Sequence, residues 1–207
     1  MFWGNRERFR LALIEYTTTP ENIEMRTENT RTEQIREAFE RGKKAVTLRP
    51  AVGQGTAVTT ARITDGYTCE IEEGPWKLTV DMPEKHGGDN RGPNSGIIGR
   101  GALASCLAIG YIRWAAALEI PLEHLEVEVH ADYDVRGEFG VADVPPGYTG
   151  MRYVVRVQSS APEDEILRML NRADMLSPYL DIFANPHRIE RDVEYTQLAT
   201  AEADHER

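Results

Sequence analysis

The 207-residue chain has only two cysteines, Cys69 and Cys106. Two cysteines are too few for a disulfide framework, and their spacing is not that of a zinc site. Free cysteines are typical of proteins in a reducing compartment. The N-terminal residues MFWGNRERFRL also lack the apolar core of a secretory signal. We therefore predict a cytoplasmic protein.

The sequence is also poor in positive charge and in long apolar runs. It has 24 Lys and Arg against 34 Asp and Glu, a formal net charge of -10. This balance disfavours binding to nucleic acid or to an anionic membrane. No uncharged run exceeds 12 residues, the length of residues 101–112, whereas about 20 apolar residues are needed to span a bilayer. The expected partners are small molecules and other proteins, with neither nucleic acid nor membrane among them.

The hydrophobic patterns that are present predict an α/β (α+β) chain. A helix is expected over about 30–44, because Thr30 and Glu33 have the spacing of a capping box. Strand-like runs separated by turns then predict an antiparallel meander; they cover 45–48 leading into 52–63, then 67–73 and 76–83. Further patterns predict strands at 124–135 and 151–158, a helix at 159–173, a helix that Ser177-Pro178 begins, and a final strand at 187–195.

The longest predicted helix covers residues 97–119 and ends before Pro121. Its apolar residues occur on every side, and a helix that is apolar all round is buried all round. Its many glycine, alanine and serine residues would let other backbones approach closely. In one modest domain, this degree of burial predicts a second subunit.

Two clusters that could suggest a metal or nucleotide site have simpler interpretations. His124, Glu126, Glu128 and His130 alternate along one strand, about 6.6 Å apart, so they cannot converge on one ion. They predict a solvated strand face. The segment GGDNRGPNSG, residues 87–96, lacks the glycine spacing of phosphate and dinucleotide sites. It predicts a chain-reversal loop, and we predict no metal and no cofactor.

The two cysteines have different settings. Cys69 shares a strand face with Tyr67 and Ile71, which predicts packing in a core. Cys106 lies about ten residues inside the long helix, beyond the reach of the helix dipole. Arg113 is on its face but about 10 Å away by helical rise. Cys106 is either a small buried hydrophobe or a nucleophile whose thiolate needs a cation from elsewhere in the fold or from a partner chain.

Over residues 44–195 the chain resembles the OsmC/Ohr family of osmotically inducible and organic hydroperoxide resistance proteins. The segments that carry the resemblance are KLTVDMPEKHGG, the GPNS loop, GALASC, PLEHLEVEV and MRYVVRVQ. The resemblance implies an OsmC-like fold, with antiparallel sheets wrapped around long central helices in an intertwined homodimer. The resemblance defines an OsmC-like domain (44–195), and the residue patterns outside it predict an N-terminal arm with a surface helix (1–43) and a flexible tail (196–207).

The resemblance further implies a thiol-dependent peroxidase that reduces organic hydroperoxides. Cys106 matches the peroxidatic cysteine of the family. The resolving cysteine would fall near residues 174–177, the assisting glutamate near 95–96 and the assisting arginine near 53–55, but these residue types are absent there. The chain therefore resembles a single-cysteine enzyme. Its oxidised Cys106 would be reduced by an external thiol or, if the fold allows, by Cys69. Candidates for stabilising the thiolate are Arg49 and Arg62, with Arg91 as a third.

The same absences leave an alternative open. A non-catalytic OsmC-like protein would keep the fold and use its apolar dimer interface to bind a hydrophobic small molecule.

Overall fold

A computed structural model describes residues 28–198, with side chains from residue 31 onward. The predicted arm over residues 1–27 and the end of the predicted tail lie outside the described residues. The helices are α1 (Glu28–Leu48), α2 (Ser95–Ala117), α3 (Val135–Glu138), α4 (Glu163–Asp174) and α5 (Pro178–Ala184). The strands are β1 (Thr60–Asp65), β2 (Thr68–Glu73), β3 (Trp76–Val80), β4 (His124–Tyr133) and β5 (Tyr148–Gln158).

The strands form two antiparallel sheets, with orders β1-β2-β3 and β4-β5. Gly66 and Gly74 make the two turns of the first sheet with φ of 51° and 55°, a left-handed conformation that glycine adopts without steric cost. The second sheet pairs almost the full lengths of β4 and β5, from His124 opposite Gln158 to Tyr133 opposite Tyr148. The predicted mixed fold with an antiparallel meander is confirmed, whereas the intertwined homodimer stays a prediction.

Helix α2 provides most of the core. The Asn94 side chain caps its first turn by accepting a hydrogen bond from the Ile97 N–H at 3.0 Å. Its buried face packs against α4 and the β4-β5 sheet; the buried residues of this cluster are Leu103, Leu107, Tyr111, Ala115, Ile120, Met169 and Ala173. The other side of α2 exposes Ile97 and Ile109, at 50% and 59%. Within one chain, burial on every side is therefore not reached.

By length and composition, α2 is the one described helix that could cross a membrane, with a mean hydropathy of 1.4. The core helix of a soluble protein passes the same test. Helix α2 carries Arg100 and Arg113 and packs against α1, α4, α5 and β4. These contacts show that one face of α2 packs in the core of the chain.

The prediction of a strand at residues 45–48 is wrong, because these residues form the last turn of α1. The Thr47 hydroxyl donates a hydrogen bond to the Lys43 carbonyl at 2.8 Å, and the Arg49 N–H donates to the Ala45 carbonyl at 2.9 Å. Such contacts let a β-branched residue continue a helix. Pro50 ends it, since the residue before a proline avoids helical angles. The strand that follows begins only at Thr60.

The predicted final strand at 187–195 is also absent from the structure of one chain. The segment has the alternating pattern of a strand, but no neighbouring strand pairs with it among residues 28–198. Ile189, Val193 and Tyr195 are 90%, 72% and 80% exposed. A strand requires hydrogen-bonding partners that a local sequence pattern cannot supply.

Candidate functional site

Cys106 lies half-buried on α2, facing the junction between α4 and α5. Its Sγ atom is 3.8 Å from the Oγ atom of Ser177. Ser177 is the N-cap of α5, and its Oγ accepts a hydrogen bond from the Leu180 N–H at 3.4 Å. Since that bond uses a lone pair of the oxygen, the hydroxyl hydrogen is available to the sulfur. The predicted start of a helix at Ser177-Pro178 is confirmed.

A cavity of about 350 Å³ opens beside the Cys106 sulfur. Its wall is mainly apolar and comes from α2 on one side and the α4–α5 junction on the other; the residues include Ala102, Ile109, Trp114, Ala173, Leu176 and Tyr179. Arg113 is the one charged side chain that lines it among the described residues. The arrangement can admit a small organic molecule to a sulfur that has a hydroxyl beside it.

Helix α1 fixes the position of Arg113. The Cζ atom of Arg113 lies 5.8 Å from the ring centroid of Phe39, in the geometry of a cation–π contact. The Phe39 ring also meets Trp114 edge-on, with centroids 5.2 Å apart. Arg36 of α1 forms an ion pair with Glu119, just beyond the end of α2. Helix α1 thus holds two residues that line the Cys106 cavity.

The carboxylate of Asp174 anchors the end of α4 beside the site. It accepts hydrogen bonds from the Tyr111 hydroxyl at 2.6 Å and the Tyr153 hydroxyl at 2.7 Å. Burial first, and then the hydrogen bond to Asp174, raise the pKa of both tyrosines. This cluster joins α2, β5 and α4 three residues before Ser177. The cluster therefore fixes the segment that holds the Ser177 hydroxyl beside the Cys106 sulfur.

The loop before α2 is held by a buried carboxylate, Asp81. It accepts hydrogen bonds from the N–H groups of Met82 and Arg91, at 2.7 and 3.2 Å, and from the Thr68 hydroxyl at 3.2 Å. Burial raises the pKa of Asp81, but these hydrogen bonds together outweigh it, so the pKa lies below its usual value. The segment is the predicted chain-reversal loop.

The close packing of this loop explains two of its glycines. A Cβ atom on Gly88 would overlap the carbonyl oxygen of Met82, and one on Gly92 would overlap that of Thr79. The loop then enters α2 at Ser95 and Gly96, where the assisting glutamate was expected. Arg100, one turn further on, donates a hydrogen bond to the Tyr148 hydroxyl at 3.0 Å.

The structure places the predicted arginines away from Cys106 of the same chain. Arg49 follows α1 and is exposed, and Arg62 is exposed on β1. Arg91 pairs with Asp89 at 2.9 Å and with Asp65 at 3.5 Å. Among the described residues, none of the three lines the cavity beside Cys106.

The second cysteine lies on the first sheet and not in the wall of the cavity. Cys69 is half-buried on β2, in register with Ile63 of β1 and Val80 of β3. It does not line the Cys106 cavity. Within one chain, the residues brought together around Cys106 are Ser177 and Arg113.

Sequence reasoning missed several residues of the Cys106 site, each for an identifiable reason. Arg113 was set aside on distance along the helix, although its long side chain reaches into the same cavity. Asp174 gave one usable signal, because a carboxylate at the C-terminus of a helix opposes the helix dipole and needs compensating donors. Tyr111 and Tyr153 gave none, since they fit the apolar patterns of their elements.

The polar face of β4 is an ion-paired surface. Arg156 of β5 pairs with Glu126 at 2.8 Å and with Glu128. His130 Nε2 lies 2.7 Å from Glu128 Oε1. The guanidinium lowers the pKa of Glu128, first through its hydrogen bond and then through its charge. The face is stabilised by cross-strand pairs.

Comparison with known proteins identifies the relatives of this chain. The family model described as OsmC-like protein matches residues 87–191. A crystal structure of an OsmC-like protein from Mycoplasma pneumoniae has 17% sequence identity and a TM-score of 0.55, covering 63% of this chain and 89% of that one. No curated protein sequence matches the chain.

Two further solved structures match the chain at lower TM-scores. An organic hydroperoxide resistance protein OsmC from Legionella pneumophila has 18% identity and a TM-score of 0.45, covering 61% of this chain and 88% of that one. OhrB, the organic hydroperoxide resistance protein of Bacillus subtilis, has 22% identity and a TM-score of 0.42, with coverages of 61% and 89%.

Proposed function

Because this chain belongs to the OsmC-like protein family, we propose that it is a thiol-dependent peroxidase that reduces organic hydroperoxides through Cys106. The observation that carries the proposal is the half-buried Cys106 sulfur, which lines a cavity with apolar and polar wall residues beside the Ser177 hydroxyl. The cavity is formed by residues of the segment that the family model matches. Relatives of the same fold that are named organic hydroperoxide resistance proteins support the choice of substrate.

The proposed reaction has a peroxidatic half and a reductive half. The Cys106 thiolate attacks one peroxide oxygen of ROOH, so that an S–O bond forms and the O–O bond breaks. The alkoxide takes a proton and leaves as ROH, and Cys106 becomes a sulfenic acid. An external thiol then forms a mixed disulfide and releases water. A second external thiol displaces Cys106, which returns to the thiol while the external pair leaves as a disulfide.

The residues around the sulfur have distinct proposed roles. The Ser177 hydroxyl donates a hydrogen bond to the sulfur and, having no thiol, does not resolve the sulfenic acid. The reductant is therefore an external thiol. Arg49 and Arg62 are proposed to stabilise the thiolate. Since neither lines the cavity of its own chain, they would act from a second subunit.

We also propose a homodimer, because a single chain leaves apolar side chains and one strand-like segment uncovered. A single chain exposes large apolar side chains that soluble proteins usually cover, among them Trp76 at 78% and Ile63 at 63%. The unpaired 187–195 segment adds a row of backbone donors and acceptors. Two reduced cysteines are consistent with the cytoplasm as the proposed compartment.

The proposed activity is tested by hydroperoxide consumption in the presence of a small thiol. The wild-type protein is expected to consume the hydroperoxide and to form a sulfenic acid on Cys106, trapped by a dimedone-type reagent and located by mass spectrometry. Cys106→Ser is expected to lose both signals. Cys69→Ser is the matched control and should retain them. Equal consumption by the wild type and Cys106→Ser would overturn the proposal.

A second candidate function is the binding of a hydrophobic small molecule without catalysis. The specific observation that favours it is an open groove of about 1060 Å³ between α1, α2 and the start of β4, with mainly apolar walls. Native mass spectrometry of the purified protein tests this candidate. A protein that carries no ligand and takes up none from a library of lipid-like molecules would exclude it.

A further inference from the structure

The segment that holds Ser177 against the Cys106 sulfur is attached to helix α2 at two points. Tyr111 of α2 donates a hydrogen bond to the Asp174 carboxylate at 2.6 Å. Closer to the start of the same helix, the Cys106 sulfur contacts the Ser177 hydroxyl at 3.8 Å. The two α2 residues are separated by about 7.5 Å of helical rise. Residues 174–177 therefore run along α2 in the opposite direction, with the carboxylate at one end and the hydroxyl at the other.

A third attachment ties the segment to the β4-β5 sheet. The second oxygen of the Asp174 carboxylate accepts a hydrogen bond from Tyr153 of β5 at 2.7 Å. Each carboxylate oxygen thus has its own phenol donor, and hydrogen bonds to a charged acceptor are among the stronger ones in proteins. Tyr111 is fully buried and Asp174 is partly buried. The contacts are made inside the core of one chain, so they do not depend on what covers the exposed side of α2.

The backbone between Asp174 and Ser177 transmits the position of the carboxylate to the hydroxyl. The Ser177 N–H donates a hydrogen bond to the Asp174 carbonyl at 3.2 Å. The turn before it is closed in the same way, from the Leu176 N–H to the Ala173 carbonyl at 3.1 Å. Pro178 then begins α5 with a fixed φ. A segment closed by these hydrogen bonds moves as a unit, so a shift of Asp174 displaces the Ser177 hydroxyl.

We propose that Asp174 is a positioning residue, which keeps the Ser177 hydroxyl within hydrogen-bonding distance of the Cys106 sulfur. The two phenols hold the carboxylate, and the carboxylate holds the turn. This inference rests on the proposed peroxidase, because it concerns the sulfur that attacks the hydroperoxide. A hydrogen bond to a thiolate increases the amount of thiolate by more than it lowers the reactivity of each thiolate. Loss of the contact is therefore expected to slow the attack of the sulfur on any electrophile.

The first measurement tests the position of residue 177 and needs no peroxidase activity. In the full-length protein with Cys69→Ser and Ser177→Cys, the introduced thiol and Cys106 are equilibrated with reduced and oxidised glutathione. Mass spectrometry gives the fraction of disulfide, and the glutathione ratio at its midpoint gives the effective concentration of the two thiols. Asp174→Ala is expected to lower this effective concentration about tenfold, because the freed segment samples more positions. Asp174→Asn should lower it less, since an amide can accept from one phenol and donate to the oxygen of the other.

The second measurement separates positioning from charge. Asp174→Ala and Asp174→Asn both remove the negative charge, so any direct effect of that charge on the sulfur is the same in both. The rate is that of Cys106 alkylation by iodoacetamide, a neutral electrophile, at neutral pH in the Cys69→Ser background. With Ser177 present, Asp174→Ala is expected to react about threefold or more slowly than Asp174→Asn. With Ser177→Ala, the two should react at equal rates, because the hydroxyl that Asp174 positions is gone.

Two further variants complete the test. Asp164→Asn is the matched control, because it removes an exposed carboxylate at the other end of α4, and it should change neither measurement. Tyr153→Phe keeps the charge and removes one donor, and it should lower the effective concentration even if Asp174→Ala does not fold. An unchanged effective concentration in Asp174→Ala, or in Tyr153→Phe if the former does not fold, would overturn the positioning role. A rate difference between Asp174→Ala and Asp174→Asn that persists with Ser177→Ala would also overturn it.

Failure of this inference can be told apart from failure of the peroxidase. Both thiol measurements are made without hydroperoxide, and hydroperoxide consumption is measured separately on the wild type. Intact consumption without the expected dependence on Asp174 would exclude the positioning role alone. A wild type that consumes no hydroperoxide, combined with the expected dependence in both thiol measurements, would support the positioning role and exclude the peroxidase.

Discussion

At the scale of single residues, the contact between Cys106 and Ser177 determines how the sulfur can be recycled. A hydroxyl 3.8 Å from the sulfur can donate a hydrogen bond to a thiolate or to a sulfenic acid. It cannot form a disulfide, so the oxidised sulfur stays open to an external thiol. The residues next to Cys106 in the sequence predict neither the hydrogen bond nor the absence of a disulfide partner, because Ser177 begins a different helix.

Ser177→Cys is expected to convert the site to one with two thiols. The introduced thiol would stand where the Ser177 hydroxyl does, and a small rotation of each side chain would bring the sulfurs to the bonding distance of about 2.05 Å. A stoichiometric amount of hydroperoxide should then produce a disulfide between the introduced thiol and Cys106. Mass spectrometry of unreduced peptides would identify it. Ser177→Ala, which has no thiol, serves as the control, and free thiols that persist in Ser177→Cys would contradict the prediction.

The tyrosines that bind Asp174 predict how stability depends on pH. Burial and the hydrogen bond to Asp174 raise the pKa of Tyr111 and Tyr153 in the folded state, whereas an unfolded tyrosine titrates near pH 10. Their contribution is therefore fully present below about pH 10 and decreases above it, because only the unfolded chain then loses protons.

Denaturant unfolding at a series of pH values measures this effect. The free energy of unfolding of the wild type should fall above about pH 10. Tyr153→Phe removes one of the two phenols and should show a shallower fall over the same range. Equal slopes for the two proteins would mean that Tyr153 titrates alike in the folded and unfolded states.

At the scale of elements, α1 contacts α2 through the Phe39–Trp114 ring pair and the Arg113–Phe39 cation–π contact, and an ion pair joins Arg36 to Glu119 just beyond the end of α2. The pair of Phe39 and Trp114 has the edge-to-face geometry that contributes beyond simple burial. The ion pair of Arg36 with Glu119 is solvent-exposed, and such pairs contribute little to stability. The aromatic pair is therefore expected to be the main attachment of α1.

A double-mutant cycle with Phe39→Leu and Trp114→Leu should give a coupling free energy of about 0.5–1.5 kcal/mol. The measurement is the free energy of unfolding of the wild type, the two single variants and the double variant. A parallel cycle with Arg36→Gln and Glu119→Gln should give a smaller coupling, since that pair faces solvent. Additive effects of the two aromatic substitutions would show that α1 is held by other contacts.

Elements with strong local signals were predictable, and elements that depend on a partner were not. The turns at Gly66 and Gly74 and the apolar run of α2 identified the meander and the long helix. Residues 45–48 carry a strand-like pattern, but they continue the hydrogen bonding of the preceding helix. In the same way, the position of Arg113 depends on how α1 packs, which is a tertiary contact that no local pattern contains.

At the scale of the whole molecule, one chain buries too little apolar surface for its length. Its compact core is limited to one face of α2, the adjacent helix α4 and the β4-β5 sheet. The first sheet packs little of its surface, since every residue of β1 is exposed. A second copy that covers these surfaces would supply the missing burial.

The chain is therefore expected to sediment as a dimer and to unfold in a concentration-dependent manner. If the folded state exists only as a dimer, mass action raises the thermal midpoint as the protein concentration rises. Sedimentation equilibrium gives the mass. Thermal scans over about two decades of protein concentration give the shift of the thermal midpoint. A monomeric mass together with a constant midpoint would contradict the dimer.

The tightly packed loop before α2 limits which missense changes the gene can tolerate. Every missense change of a glycine codon adds at least a Cβ atom, and at Gly88 and Gly92 that atom would collide with backbone that cannot move aside cheaply. In a saturation library of the gene selected for folded protein, nearly every substitution at these two codons, alanine included, should therefore be depleted. Both codons would be recorded as essential, although neither glycine lines the cavity that holds the sulfur.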